Sequence, residues 1–302
     1  MRSLLFVPAD SERKLAKALS AGADALILDL EDSVAAEHRP QGRALAAEFI
    51  KSTRQMNDRP LLYVRVNPLD SADVEADIAG VMPAGPDGIV QPKPNSGQDV
   101  HRLSIALGHA EERAGLRDRP ARILPIVTET PASVLQLSTY VGASSRIIGM
   151  SWGAEDLSAV VGSLTSRRGR GLSSPYRLVR DLCLLTAAAA DVEPIDTVFV
   201  DFRDEAGLRR ECDEAAQDGF TGKMAIHPDQ VAIINEMFTP SAVEIQHAQT
   251  IVGAFAANPG AGVASLNGKM LDQPHLKLAQ KVIARAKAAG ALPATPPPPT
   301  PE

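Results

Sequence analysis

Short, continuously apolar runs recur along the chain, each ending in polar or charged residues and each followed by a segment with helical signals. They cover residues 3–9, 25–32, 61–68, 88–93, 123–131, 146–157, 197–202 and 223–228. Continuous rather than alternating apolar character fits parallel strands buried on both faces. Eight such strands alternating with helices fit a closed barrel better than an open sheet. The pattern predicts an α/β fold, a (β/α)8 TIM barrel over residues 1–238, with a C-terminal helical extension over residues 239–290. Within that extension a helix over 241–256 and a last helix over 274–288 flank Asn267-Gly268, a dipeptide suited to a tight hairpin turn. Residues 291–302 are Pro-rich without core-forming side chains and are expected to be disordered.

The polar residues are not scattered. Glu31, Asp32, Arg65, Asn67, Lys93, Glu129, Asp156, Asp201 and His227 fall at the carboxyl ends of the predicted strands, the face on which barrel enzymes build their sites. The run over 123–131 carries the sharpest signal: a buried strand ends on Glu129 and passes at once into Thr130-Pro131, a helix start. An acid there is costly unless a metal, a cation or a substrate holds it. The run over 146–157 turns through Gly153 and presents Asp156. We therefore expect Glu129 and Asp156 to share one divalent cation, the plain alternative being an ion pair or a helix cap. Two carboxylates with water and substrate oxygens suit Mg²⁺, with Mn²⁺ as the second choice. Arg65, where the third strand ends, is placed to take the carboxylate of a 2-oxo acid, unless it is a structural salt bridge to Glu31 or Asp32. These parts suit making or breaking a carbon–carbon bond next to an enolate; hydrolysis and dehydration would use similar ones.

At 302 residues the chain buries a full core without staples. A formal charge of −6 and a pI near 5.6 argue against nucleic acid as a main partner. Cys183 and Cys212 lie far apart without metal-ligand spacing. No apolar run reaches the length of a membrane span and the first residues lack a signal peptide's pattern, so a cytoplasmic protein is expected.

Seven stretches in register carry a family resemblance. They are Arg2-Ser3-Leu4-Leu5-Phe6-Val7-Pro8-Ala9, Leu28-Asp29-Leu30-Glu31-Asp32-Ser33-Val34, Val64-Arg65-Val66-Asn67, Gly88-Ile89-Val90-Gln91-Pro92-Lys93, Glu129-Thr130-Pro131, Gly153-Ala154-Glu155-Asp156-Leu157 and Lys223-Met224-Ala225-Ile226-His227-Pro228. From residue 2 to about 285 the chain resembles the citrate lyase β-subunit-like family of the HpcH/HpaI aldolase superfamily, which includes malyl-CoA and citramalyl-CoA lyases. The resemblance implies a Mg²⁺-dependent barrel that cleaves or forms 3-hydroxyacyl-CoA thioesters, with coenzyme A as part of the substrate. It implies Glu129 and Asp156 as metal ligands and Arg65 on the substrate's carboxylate and carbonyl. Glu31 and Asp32 would be outer acids orienting metal-bound water, and Arg13 and Lys14 would face the CoA phosphates. In Leu271-Asp272-Gln273-Pro274-His275 it implies Asp272 as a general acid/base reaching the site of an adjacent subunit, hence a homo-oligomer, a trimer or hexamer. Relatives often have Gly where this chain has Ala9, which bears on the nucleotide contact.

The rival readings are a citrate lyase β subunit acting on a carrier-bound citryl thioester, a malyl-CoA thioesterase and, from another class, a non-catalytic barrel binding acyl-CoA or a dicarboxylate. Plainer roles stand beside several residues. Arg13 and Lys14 would form a solvated helix face, Asp272 would cap the last helix, and His227 and Trp152 would be packing residues. Lys93 would fix a carboxylate without forming a Schiff base, and Arg167–Arg170 would be a solvated loop or a phosphate clamp.

Overall fold

The computed structural model describes residues 1–116, 118–169, 171–257, 262–266 and 268–293. Most of the expected tail, residues 294–302, and Arg170 of the Arg-rich loop therefore lie outside the described residues. The chain forms two compact units, Met1–Asn235 and a second beginning at Glu236.

The first unit is built on eight parallel strands: β1 (Ser3–Pro8), β2 (Ala25–Asp29), β3 (Leu61–Arg65), β4 (Gly88–Gln91), β5 (Arg122–Pro125), β6 (Gly149–Ser151), β7 (Glu193–Asp196) and β8 (Gly222–Ala225). They pair in the order β5-β4-β3-β2-β1-β8-β7-β6. The two ends meet through the bridges Ile123↔Ile147 and Ile126↔Ser151, and Val127 N–H donates to Ser151 O at 2.8 Å, so the sheet closes on itself. Every residue of β2 is buried, as the continuous apolar run requires. Leu4, Ile27, Tyr63, Val90, Leu124, Ile195 and Met224 fill the interior, which makes the barrel a packed core rather than a pore. Helices α1 (Glu12–Leu19), α2 (Arg39–Thr53), α3 (Val74–Val81), α4 (Gly97–Ala114), α5 (Pro131–Leu135), α6 (Glu155–Val161), α7 (Ser174–Ala189), α8 (Glu205–Asp218) and α9 (Pro228–Phe238) alternate with the strands.

The seventh strand is displaced from its expected place. β7 is Glu193–Asp196, its Glu193 level with Gly149 of β6 and its Ile195 level with Gly222 of β8, and the apolar run over 197–202 is irregular. Four residues suffice to span the barrel, and beyond them the backbone finds other partners. Phe199 O accepts from the Gln230 amide at 2.7 Å, and Phe199 packs beneath the Arg167 guanidinium. Val200 and Phe202 are exposed, as is Asp201, which sequence reasoning placed at the rim as a strand-end acid. The Arg-rich loop contains a two-residue antiparallel pairing of Arg167–Arg168 with Gly171–Leu172, and Arg167 pairs with Glu211 at 2.5 Å rather than facing solvent freely.

The second unit packs α10 (Ala242–Ala256) and α11 (Gln273–Ala288) around Ala248, Ile251, Phe255, Leu271 and Ala279. Strands β9 (Val263–Leu266) and β10 (Lys269–Asp272) form an antiparallel ribbon, and Gly268 at its turn takes φ 75°, the left-handed value that a two-residue hairpin demands. Asn267 of that turn lies outside the described residues.

A buried ionic network fixes β7 to β8. Lys223 on β8 is fully buried and donates to Asp196 at 2.7 Å and to Glu211 at 2.6 Å. Arg180 on α7 lies 3.6 Å from Asp196 and donates to Asp218 at 2.7 Å. Burial alone would raise the Asp196 carboxyl; Lys223 and Arg180 outweigh it and hold it below its ordinary value. Stability from this carboxylate is thus present above the unfolded pKa of about 3.9 and lost as pH falls through the depressed folded value. Lys223→Met, which strips a buried carboxylate of its main cation, is expected to cost about 3 kcal/mol at pH 7 in urea denaturation. A change below about 0.5 kcal/mol would show that the network contributes nothing to stability.

Candidate active site

The carboxyl ends of the strands surround a cavity of about 360 Å³, lined among others by Asp29, Asp32, Arg65, Glu129, Trp152 and Asp156. Glu129 follows the last residues bonded to β6 and precedes α5, whose first turn is capped by Thr130 Oγ1 accepting from Ser133 N–H at 3.1 Å. Asp156 is the second residue of α6, where the helix dipole favours an anion. Gly153 makes their approach feasible. A Cβ placed there would stand 2.6 Å from Glu129 Cγ, and the Gly153 N–H donates to Thr128 Oγ1 at 3.1 Å. Trp152 is buried and donates its indole N–H to Asp196 at 2.8 Å, which ties this turn to the buried ionic network.

Two cations answer five carboxylates. Arg65 is the register partner of Asp29 on β2 and grips it in a fork, Nε and Nη2 each at 2.7 Å. Its Nη1 stands 2.9 Å from Glu31 and 3.6 Å from Asp32, so the salt bridge weighed as an alternative for Arg65 is present. Asp29 was not singled out from sequence, because an acid inside an apolar run reads as the run's interruption rather than its anchor. Two guanidinium N–H groups are hydrogen-bonded to Asp29, while Nη1 meets Glu31 as an ion pair without a hydrogen bond, which leaves three of the five N–H groups for a ligand.

Lys93 is the second cation. Its ammonium contacts Glu31, stands 3.2 Å from Asp32 and 3.2 Å from Asp156, and its backbone N–H donates to Glu129 Oε2 at 2.6 Å. Burial lowers the Lys93 pKa, but Glu31, Asp156 and Asp32 outweigh it and raise it overall, so the side chain is an ammonium and not a Schiff-base nucleophile. Burial first, then Asp156, pushes the Glu129 carboxyl well above its ordinary value, against the Lys93 N–H and Arg65; Glu31 adds to the rise. Burial likewise raises Glu31, although Arg65 and Lys93 oppose it.

This donor set fits a hard divalent cation. Glu129 and Asp156 both line the cavity, and two carboxylates with the remaining positions left to oxygens of water and substrate would suit such an ion. A cation there would supply the charge that Glu129 lacks.

The other expected residues lie elsewhere. Arg13 and Lys14 are exposed on the first turn of α1 and do not line the cavity. Asn67 is engaged by Leu30 O at 3.0 Å and by Asp77 at 2.8 Å, so it ties the ends of β2 and β3 together instead of facing a ligand. His227 stacks on Phe202 with ring centroids 4.5 Å apart. Ala9, fully buried, donates its N–H to Asp29 O at 3.0 Å. Asp272 is the N-cap residue of α11, half-exposed and paired with His275.

A closed α/β barrel with an acid-rich rim at the carboxyl ends of its strands defines the class. The family model for HpcH/HpaI aldolase/citrate lyase matches residues 2–228, and the chain belongs to that family. The citrate lyase subunit beta of Haemophilus influenzae is 34% identical over 289 residues, covering 95% of this chain and 97% of that one. A (3S)-malyl-CoA thioesterase of Cereibacter sphaeroides is 35% identical over 299 residues, 96% of each chain. Among solved structures, the CitE protein of Mycobacterium tuberculosis, crystallised with magnesium, acetoacetate and coenzyme A, superposes with a TM-score of 0.76 at 30% identity, covering 94% of this chain and 97% of that one. A citrate lyase from Burkholderia xenovorans, at 21% identity and a TM-score of 0.82 over 98% of this chain and 94% of that one, shares the fold.

Gly153→Ala is expected to push Glu129 aside and weaken divalent-cation binding by about tenfold or more, with the melting temperature within a few degrees of wild type. Isothermal titration with Mg²⁺ measures it; unchanged affinity would mean that the close approach of Gly153 to Glu129 does not set the site.

Proposed function

We propose that the protein is a Mg²⁺-dependent carbon–carbon lyase. It would cleave or form a 3-hydroxyacyl-CoA thioester such as citramalyl-, malyl- or citryl-CoA, with an acyl-CoA and a 2-oxo acid on the other side of the reaction. The observation that carries this reading is the meeting of Glu129, Asp156 and Arg65 on one cavity of about 360 Å³. That volume suits the reacting acyl end and the 2-oxo acid; the nucleotide would lie outside it, toward Arg13 and Lys14 on α1, which leaves the same rim. Relatives named citrate lyase subunit beta and (3S)-malyl-CoA thioesterase, and a relative's structure with magnesium, acetoacetate and coenzyme A, support the same class.

Glu129 and Asp156 would hold Mg²⁺, which when bound supplies Lewis acidity at the carbonyl of the 2-oxo acid. Arg65, fixed by Asp29, would hold the substrate carboxylate with its remaining N–H groups. Glu31 and Asp32 orient water at the same rim. In the cleavage direction the carbinol hydroxyl gives up its proton, the carbon–carbon electron pair passes to the acyl α-carbon, and that carbon takes a proton. Asp272 of an adjacent subunit would carry the proton, in a homo-oligomer, a trimer or hexamer, in the cytoplasm. No helix among the described residues is long and apolar enough to cross a membrane.

A second reading is favoured by the thioesterase relative: hydrolysis of malyl-CoA at the same site. The purified protein alone, assayed on malyl-, citramalyl- and citryl-CoA with and without Mg²⁺, separates them. Release of a 2-oxo acid with an acyl-CoA marks the lyase, free CoA without a keto acid marks the thioesterase, and no product marks a carrier-dependent subunit or a binding barrel. Glu129→Ala and Asp156→Ala are expected to lower kcat/KM by about a thousandfold or more without unfolding the chain. Either variant keeping full Mg²⁺-dependent activity would sink the assignment.

A further inference from the structure

Lys93 combines two features that call for a common cause. It lies in the left-handed region at φ 48°, one of two non-glycine residues among those described to do so. It also stands between Pro92 and Pro94, and a following proline favours extended backbone. A strained backbone of this kind persists where the surroundings hold it and clusters at functional sites. Here the conformation sends the two ends of one residue to opposite sides of the acid cluster: the N–H to Glu129 at 2.6 Å, and the ammonium to Glu31, to Asp32 at 3.2 Å and to Asp156 at 3.2 Å.

We propose that Lys93 is a built-in counter-cation whose ammonium competes with the divalent ion for Asp156. It rests on the reading of Glu129 and Asp156 as the cation ligands. The backbone N–H keeps Glu129 in place whatever the side chain does. The ammonium neutralises Asp156 when no metal is bound and withdraws to Glu31 and Asp32, which it already contacts, when one arrives. Lys93 is thus a positioning residue through its backbone and an affinity-setting residue through its charge.

The two roles have opposite signs, which makes them separable. Removing the ammonium deletes a positive charge a few ångströms from a dication in a half-buried site and adds no backbone change. Isothermal titration of the full-length protein with Mg²⁺ at pH 7 is expected to show Lys93→Met binding about tenfold tighter than wild type or better. Lys93→Gln is expected to do the same, and is the fallback if the Met variant folds poorly. Lys93→Arg, which keeps the charge, is expected to stay within about threefold of wild type. Unchanged or weaker binding in the neutral variants, or equal tightening in Lys93→Arg, would overturn the proposal while the cation site stands. Wild type that binds no Mg²⁺ would remove the cation site itself, and the proposal with it.

Discussion

Like-charge crowding is the constraint on which this site depends. Asp29, Glu31, Asp32, Glu129 and Asp156 meet at one end of the barrel, and Glu31 and Glu129 are raised above their ordinary values as a result of burial and neighbouring acids. Among the described residues, Arg65 and Lys93 are the cations paired with these acids. Each is placed by backbone geometry. Arg65 owes its fork on Asp29 to strand register, and Lys93 owes its reach to a left-handed residue between two prolines. The remaining deficit of positive charge is one that a divalent cation would supply, so the crowding of the acids and the chemistry proposed for them have the same origin.

The structure beneath the rim carries rigidity up to it. Asp196 receives the Trp152 indole, the Lys223 ammonium and the nearby Arg180, in a part of the barrel where water has little access. Trp152 is adjacent to Gly153, whose missing side chain lets Glu129 pack against it. On the other side, Asp77 and Leu30 hold Asn67 and so fix the ends of β2 and β3, between which Arg65 and Asp29 meet. The effect of the two networks is to leave the carboxylates little freedom to relax apart, which suits a preorganised cation site.

Much of the candidate site was legible because cost leaves a mark in sequence. An acid closing an apolar run, as Glu129 does, has few cheap explanations, and Asp156 after a glycine turn repeats the signal. Arg65 was legible as a rim residue, but its partner was not: Asp29 lies within the apolar run and only register shows it beside Arg65. Lys93 read as a strand-end lysine; that its backbone also binds Glu129 depends on a dihedral angle that sequence does not state. The seventh strand was misplaced because Val198, Phe199 and Val200 have the composition of a strand, whereas the ladder was decided by which backbone lay level with Gly149 and Gly222.

Sequence alone determined the element types, the closed barrel, the clustering of charge at the strand ends and the family. These follow from local periodicity and from the price of burying charge, and both are written residue by residue. Tertiary structure alone decided which side chains pair with Arg65 and Lys93, and where β7 begins. Those depend on register and on distances of a few ångströms between segments far apart in the chain, and an electrostatic interaction is set by distance, not by order along the sequence.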